Sequence, residues 1–135
     1  MASFNDQIID EFRSNDGKVG GPFAGGDLLL LHSTGARSGA ERINPLAYVV
    51  DGDDYVIIAS KGGAPTNPDW FHNLRANPRA VDEVGSRTVP VTATVLDSGP
   101  ERNALFAAMV AKMPGFADYE ARTDRIIPVV RLSPR

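Results

Sequence analysis

The 135-residue chain contains no cysteine. That absence removes disulfides, thiolate catalysis, cysteine-ligated zinc and iron–sulfur clusters from consideration. Histidine is nearly as scarce. His32 and His72 lie far apart, with no HExxH spacing and no EF-hand loop anywhere in the chain, so no metal site is expected. No unbroken apolar run comes near the ~20 residues that a membrane-spanning helix needs. The N-terminus, MASFNDQIIDEFRSND, carries acidic residues where a signal peptide has an apolar core. These features predict a cytoplasmic protein without a transmembrane segment, and they leave peripheral membrane contact open. Positive charge is also in deficit. A net charge of −3 and a pI of about 5.3 exclude a general binder of nucleic acid or anionic membranes.

What is present is an ordinary globular composition, 42% hydrophobic and 23% charged, which fits one domain over residues 1–135. Of the 14 basic residues, 11 are arginine. Arginine suits bidentate binding of carboxylate and phosphate, so a local anion site is compatible with the acidic total.

Periodicity and punctuation give the elements. Ser3 is placed to cap a first helix whose apolar residues are Phe4, Ile8, Ile9 and Phe12. Asn15-Asp16-Gly17 ends it, and a glycine-rich lead-in fills residues 20–26. Leu28–His32 reads as a buried strand. Ile43–Val50 and Tyr55–Ser60 read as two more, joined by a hairpin signal at Asp51-Gly52-Asp53-Asp54. Asn44-Pro45 marks the first of these as an edge or a bulge. Lys61–Pro68 is a loop feeding a short helix, with Asn67 as N-cap and Pro68 at the first helical position, stopped by Asn77-Pro78. Ala80–Val84 and Thr88–Leu96 predict a hairpin around Gly85-Ser86, the second strand alternating Val89, Val91, Ala93 and Val95 with polar residues and Pro90. Pro100-Glu101 opens a helix that Pro114-Gly115 breaks; a short segment, Phe116–Thr123, precedes a last strand at Ile126–Leu132. About six strands with central hairpins, and no Rossmann-type alternation, predict an α+β fold built on a closed or split antiparallel barrel.

Two segments carry candidate chemistry. In SKGGAPTNPDWFHNL, residues 60–74, Lys61 follows a strand end, Gly62 and Gly63 allow a ligand close to the backbone, and a helix begins near Pro68. Together these could cradle a phosphate; an ordinary glycine turn with a solvated lysine has the same letters. In TGARSGAERINP, residues 34–45, Arg37 and Arg42 flank a turn held by Gly35 and Gly39, and Ser38 adds a hydroxyl. If this turn faces the Lys61 loop, three cations converge on one anion; a solvated hairpin tip is the plainer reading. Trp70 and Phe71 could wall a flat cofactor, with Asn73 on the same turn. Phe116 and Tyr119 could edge a lid.

The stretch HSTGARSGAERINPLAYVVDGDDYVIIASKGGAPTNPDWFHNLRANP, continued by MPGFADYEARTDRIIPVV, closely resembles the deazaflavin-dependent nitroreductase family over residues 28–132. The motifs TGxRSG, RxNP, SKGGAxxNPxW, NLxANP and TDRxIPVV occur in one order. The resemblance implies a split β-barrel over 28–132, preceded by an N-terminal helix and glycine-rich lead-in over 1–27. It implies hydride transfer from reduced coenzyme F420, a deazaflavin with a phospholactyl-oligoglutamate tail, to a quinone, nitroaromatic or enone. Carried over, it places Arg37, Ser38, Arg42 and Lys61 on the anionic tail, and Asn44 and Pro45 on the ring system. Ile58, Ala59 and Ser60 would run along the deazaflavin edge, Gly62 and Gly63 would supply backbone donors, and Pro68, Asp69, Trp70 and Asn73 would close the helix side. Phe116 and Tyr119 would face the acceptor, with Tyr119 or Ser60 meeting developing negative charge. Met113 and Phe116 stand where nitroimidazole-reducing members carry tyrosines, and Asp69 where an apolar residue is frequent. Two alternatives accompany this reading: a coenzyme-binding protein without turnover, and a flavin-mononucleotide reductase of the related barrel superfamily.

Overall fold

Tyr48 decides the architecture. In the computed structural model, which describes residues 4–15 and 28–135, the elements are α1 (Phe4–Ser14), β1 (Leu28–Thr34), β2 (Glu41–Ala47), β3 (Val49–Asp51), β4 (Asp54–Ile58), α2 (Asp69–Ala76), β5 (Arg79–Val84), β6 (Arg87–Leu96), α3 (Pro100–Lys112), α4 (Gly115–Ala121) and β7 (Val129–Pro134). The seven strands form one antiparallel sheet in the order β2-β1-β5-β6-β7-β4-β3. Its two edge strands, β2 and β3, are separated in sequence by Tyr48 alone. Edges that are neighbours along the chain must meet in space, so the sheet curls until β2 touches β4. This is the expected barrel-like α+β fold. The Ser3 cap and the glycine-rich stretch fall outside the described residues. Among those described, no helix is long and apolar enough to cross a membrane.

The expected strand over Ile43–Val50 is two strands. Up to Ala47 the chain pairs with β1, and from Val49 it pairs with β4, so Tyr48 is a corner between two partners. Its ring packs edge-on against Tyr55, 5.5 Å between centroids. Pro45 sits opposite Leu30 in an edge strand, where its missing N–H deprives no second neighbour. The last strand begins at Val129 rather than Ile126. Pro128 has no N–H for the ladder, and its carbonyl accepts instead from Ala59 N at 3.0 Å. Helix α2 also starts one residue later than expected. Pro68 is its cap residue, with no side-chain capping bond, because the Asn67 side chain accepts from Arg125 Nη1 at 2.7 Å.

Both faces of β1 and β4 are covered, which is why their sequences are continuously apolar. Leu29, Leu31, Tyr55 and Ile57 pack inward with Val91, Val130, Leu132 and the α2 residues Trp70, Phe71 and Leu74. Leu28 and Leu30 pack outward against Ile8, Ile9 and Phe12 of α1; Val56 and Ile58 pack outward against Leu105, Phe106 and Met109 of α3. A bidentate Arg13–Glu83 pair, at 3.1 and 2.7 Å, pins the end of α1 to β5, and the guanidinium holds the Glu83 carboxyl below its usual range. The inward face of β5 carries Ala80 and Val84, and between them Asp82. Asp82 is 0% exposed, neither carboxyl oxygen has a hydrogen-bond partner among the described residues, and burial raises its pKa to about 7.

Candidate functional site

A cleft of about 1180 Å³ lies between the β1–β2 turn, β2, the first turns of α2 and the inner part of α1. The turn is made by its own sequence. Gly35 N donates to Ala40 O at 2.8 Å, Gly39 N donates to Gly35 O at 2.9 Å, and Gly39 adopts φ +70°. Ser38 Oγ accepts from Ala40 N at 3.2 Å, and a methyl on Gly35 would lie 2.6 Å from that oxygen. The TGxRSG motif is therefore a folding requirement as well as a candidate ligand site: the glycines and Ser38 shape the loop that presents Arg37. Asn73 fastens it to α2. Only 7% exposed, its Oδ1 accepts from Ala36 N at 2.9 Å and its Nδ2 donates to Ser33 Oγ at 3.5 Å.

Arg37 and Arg42 both line this cleft, both are exposed, and neither makes an ion pair or hydrogen bond among the described residues. Two guanidiniums without a partner among the described residues, on one concave surface, make this cleft a candidate anion site. Trp70 offers an apolar wall, while Ser38, Asn44, Asp69 and Asn73 complete the set of expected residues on the cleft. Asp6, Glu41 and His72 share it.

A second group of expected residues lies together elsewhere. Ile58, Ala59 and Ser60 are buried at the end of β4, and the chain then makes a 3-10 turn over Lys61–Gly63. Lys61 is not among the residues lining the cleft; its Nζ donates to Thr66 Oγ1 at 3.3 Å. Thus the structure brings Arg37 and Arg42 together, and leaves Lys61 on a separate loop. Pro45 continues β2, and Pro68 is buried at the head of α2; neither lines the cleft. The 61–63 turn instead packs against α4, which carries Phe116 and Tyr119 in an edge-to-face pair, 5.2 Å between centroids. The Tyr119 hydroxyl makes no hydrogen bond among the described residues and remains available as a donor.

Gly63 is the contact point. It has φ +84°, and a methyl built on it would lie 2.7 Å from the Tyr119 carbonyl oxygen and 2.9 Å from Arg122 Cβ. The sequence suggested that this glycine lets a ligand approach the backbone; what approaches it here is α4. Gly63→Ala is expected to cost roughly 2–3 kcal/mol, from the left-handed backbone and the clash together. Denaturant unfolding of the variant measures this, and a loss below about 0.5 kcal/mol would mean that α4 yields freely.

Arg125 was not apparent as a site residue, although TDRxIPVV marks its neighbourhood. Its guanidinium reaches Ala64 O at 2.9 Å, Asn67 Oδ1 at 2.7 Å, Ala59 O at 3.1 Å and Ser60 O at 2.9 Å. Arg102, which is buried, donates to Ile127 O at 3.0 Å and to Glu120 Oε2 at 3.3 Å, tying α4 to α3.

Residues 6–134 match the family described as F420H2-dependent quinone reductase. The chain is 40% identical over 127 residues to the F420H2-dependent quinone reductase Rv1261c of Mycobacterium tuberculosis, a match spanning 92% of this chain and 85% of that one. Among solved structures it is similar to an F420-H2 dependent reductase, FDR-A, with a TM-score of 0.72 and 38% identity over 78% of this chain and 93% of the other. A second solved structure, described as a domain-swapped dimer, superposes with a TM-score of 0.74 and 36% identity over 94% and 92%.

Proposed function

Because the chain belongs to the F420H2-dependent quinone reductase family, we propose that the cleft bearing Arg37 and Arg42 holds the anionic tail of coenzyme F420. The chain is an oxidoreductase that takes a hydride from the reduced coenzyme and delivers it to a flat organic acceptor such as a quinone. The observation that carries the site assignment is the pair of guanidiniums without partners on one large cleft, beside the indole of Trp70. A phosphate followed by carboxylates is the ligand chemistry that two unpaired arginines and a half-used serine hydroxyl accommodate.

When bound, the coenzyme supplies the hydride; the protein supplies position and electrostatics. Arg37 and Arg42 fix the tail by charge-assisted hydrogen bonds. The turn built on Gly35, Ser38 and Gly39 holds Arg37 in place, and Asn73 keeps that turn against α2. Trp70 and Asn44 line the ring side, with Pro45, Ile58 and Ala59 behind. The Ser60–Gly63 loop would meet the coenzyme and α4 would form the acceptor side, where the phenol of Tyr119, without a hydrogen bond among the described residues, is placed to donate to the oxygen that gains charge on reduction. Ser60 is the second candidate donor; its carbonyl accepts from Arg125 and Gly63, and its hydroxyl makes no hydrogen bond among the described residues.

Anaerobic mixing of the protein with reduced F420 and a naphthoquinone is expected to restore the oxidised coenzyme's absorbance over repeated turnovers. Binding without turnover for any quinone, nitroaromatic or enone would instead identify a coenzyme-binding protein, and tighter binding of flavin mononucleotide a flavin enzyme. Tyr119→Phe preserves the ring packing on Phe116 and removes only the hydroxyl. Its turnover with quinone is expected to fall about 10–100-fold, or roughly 1.4–2.7 kcal/mol in the transition state, with coenzyme affinity unchanged. Undiminished turnover would remove Tyr119 from the reaction.

A further inference from the structure

A single guanidinium organises the loop that leads from β4 into α2 and packs against α4. Consecutive carbonyls along a strand point in opposite directions, yet Arg125 Nη2 reaches both Ala59 O, at 3.1 Å, and Ser60 O, at 2.9 Å. That is achieved because Ser60 leaves the strand conformation, with φ −77° and ψ −38°, which turns its carbonyl to the same side. The next residue, Lys61, has φ +47°, a left-handed conformation that a non-glycine residue holds only where its surroundings over-determine it. Arg125 supplies that determination from both flanks. Besides Ala59 and Ser60 before the turn, its Nε and Nη1 hold Ala64 O and Asn67 Oδ1 after it. All four acceptors are neutral oxygens, and no carboxylate pairs with Arg125 among the described residues. Four of its five N–H donors are spent on shaping the loop, and burial lowers its pKa without a compensating anion. Beyond the turn, Gly63 sits against the Tyr119 carbonyl, so whatever fixes the loop also fixes α4.

We propose that Arg125 is the positioning residue of the site, locking the Ala59–Asn67 loop so that Ser60 and Lys61 meet the coenzyme while Tyr119, held through Gly63, meets the acceptor. The inference rests on the assignment of this loop to the coenzyme, and its test separates the two. Arg125→Lys keeps the charge but has one terminal nitrogen in place of a three-nitrogen fork, and cannot span four acceptors. In the coenzyme-free chain, exchange of the Gly63 and Ala64 amides, which close the turn onto Ser60 O and Lys61 O at 2.9 and 3.1 Å, is expected to rise at least tenfold, with β6 amides unchanged. Coenzyme KM is expected to rise about tenfold and quinone kcat to fall by a similar factor. Asn67→Ala removes one acceptor only, should shift all three readings less, and carries the test if the lysine variant fails to fold. Unchanged exchange overturns the clamp, and faster exchange with unchanged KM and kcat overturns its role in the reaction. Faster exchange in a protein whose wild type does not bind the coenzyme overturns the site assignment and leaves the clamp standing.

Discussion

Asp82→Val is expected to make the protein more stable, by about 4 kcal/mol at pH 8 and by roughly 2 kcal/mol at pH 5. The carboxyl lies between Ala80 and Val84 on the inward face of β5, opposite Leu31 of β1 and Val89 of β6, with no donor for either oxygen among the described residues. Burial raises its pKa from 3.8 to about 7. An acid whose folded pKa lies above its unfolded one favours the folded state at low pH. As pH rises past about 4 the unfolded chain releases the proton first, so stability is lost progressively up to about pH 7 and the loss is constant above it. Glu83, one residue along, has the opposite sign, since its lowered pKa contributes stability that disappears on acidification. Both proteins retain Glu83, so the difference between their stability–pH curves isolates position 82. Valine fills a similar volume on an inward strand face and demands no hydrogen bond. Chemical denaturation from pH 4 to 9 should show the gap widening to about pH 7 and then holding, with a rise in Tm of roughly 10 °C at pH 8. A gap that is flat across this range would mean that the carboxyl is ionised in the folded state and has a partner. Asp82→Asn separates the contributions, because it abolishes the titration but leaves a polar group unsatisfied.

The places where sequence and structure part are informative about what a linear pattern contains. Local signals performed well: the hairpin at Asp51–Asp54, the period of two in Thr88–Leu96 and the break at Pro114-Gly115 all appear near their expected positions. The division of Ile43–Val50 was invisible because both halves have strand-like residues, and what separates them is a change of partner from β1 to β4. Alternation along Arg79–Val84 puts Asp82 on one face with Ala80 and Val84, but Val81 is apolar too, and the pattern alone does not say which face is interior. The shared cleft of Arg37 and Arg42 was legible in outline, since arginine beside a glycine turn has few structural duties. The second use of the same letters was not. Ser38 and Asn73 spend hydrogen bonds on the turn itself, and Gly63 makes room for a helix. Arg125 was the least legible, because its four acceptors lie near residue 60 and none is identifiable without the fold.

The two arginines of the cleft carry the other large expected effect. Arg37→Ala and Arg42→Ala should each weaken F420 binding by about 1.5–3 kcal/mol, or about 10–150-fold in Kd, the range for a hydrogen bond to a charged group. Neither guanidinium has a partner to lose among the described residues, so each truncation removes ligand contact without orphaning a buried group. Melting temperatures should accordingly stay close to wild type. If both arginines grip the same phosphate, the double variant should lose less than the sum of the single losses, because the ligand relaxes once the first contact is gone. Additive losses would place the arginines on separate charges along the tail. Affinity should also fall with salt, and less steeply in the variants, since each removes one screened attraction. Arg79→Ala, exposed at the start of β5 and absent from the cleft, is the control. Lys61→Ala tests whether the third cation reaches the same anion from its own loop: a loss like that of Arg42 draws it into the tail site, and unchanged affinity confines that site to the two arginines. At saturating coenzyme, quinone turnover by either arginine variant should approach the wild-type kcat, because contacts to the tail are equally strong before and during hydride transfer. Wild-type Kd in both single variants would remove the tail from this cleft, and a large fall in kcat would move the arginines from the tail to the reacting ring.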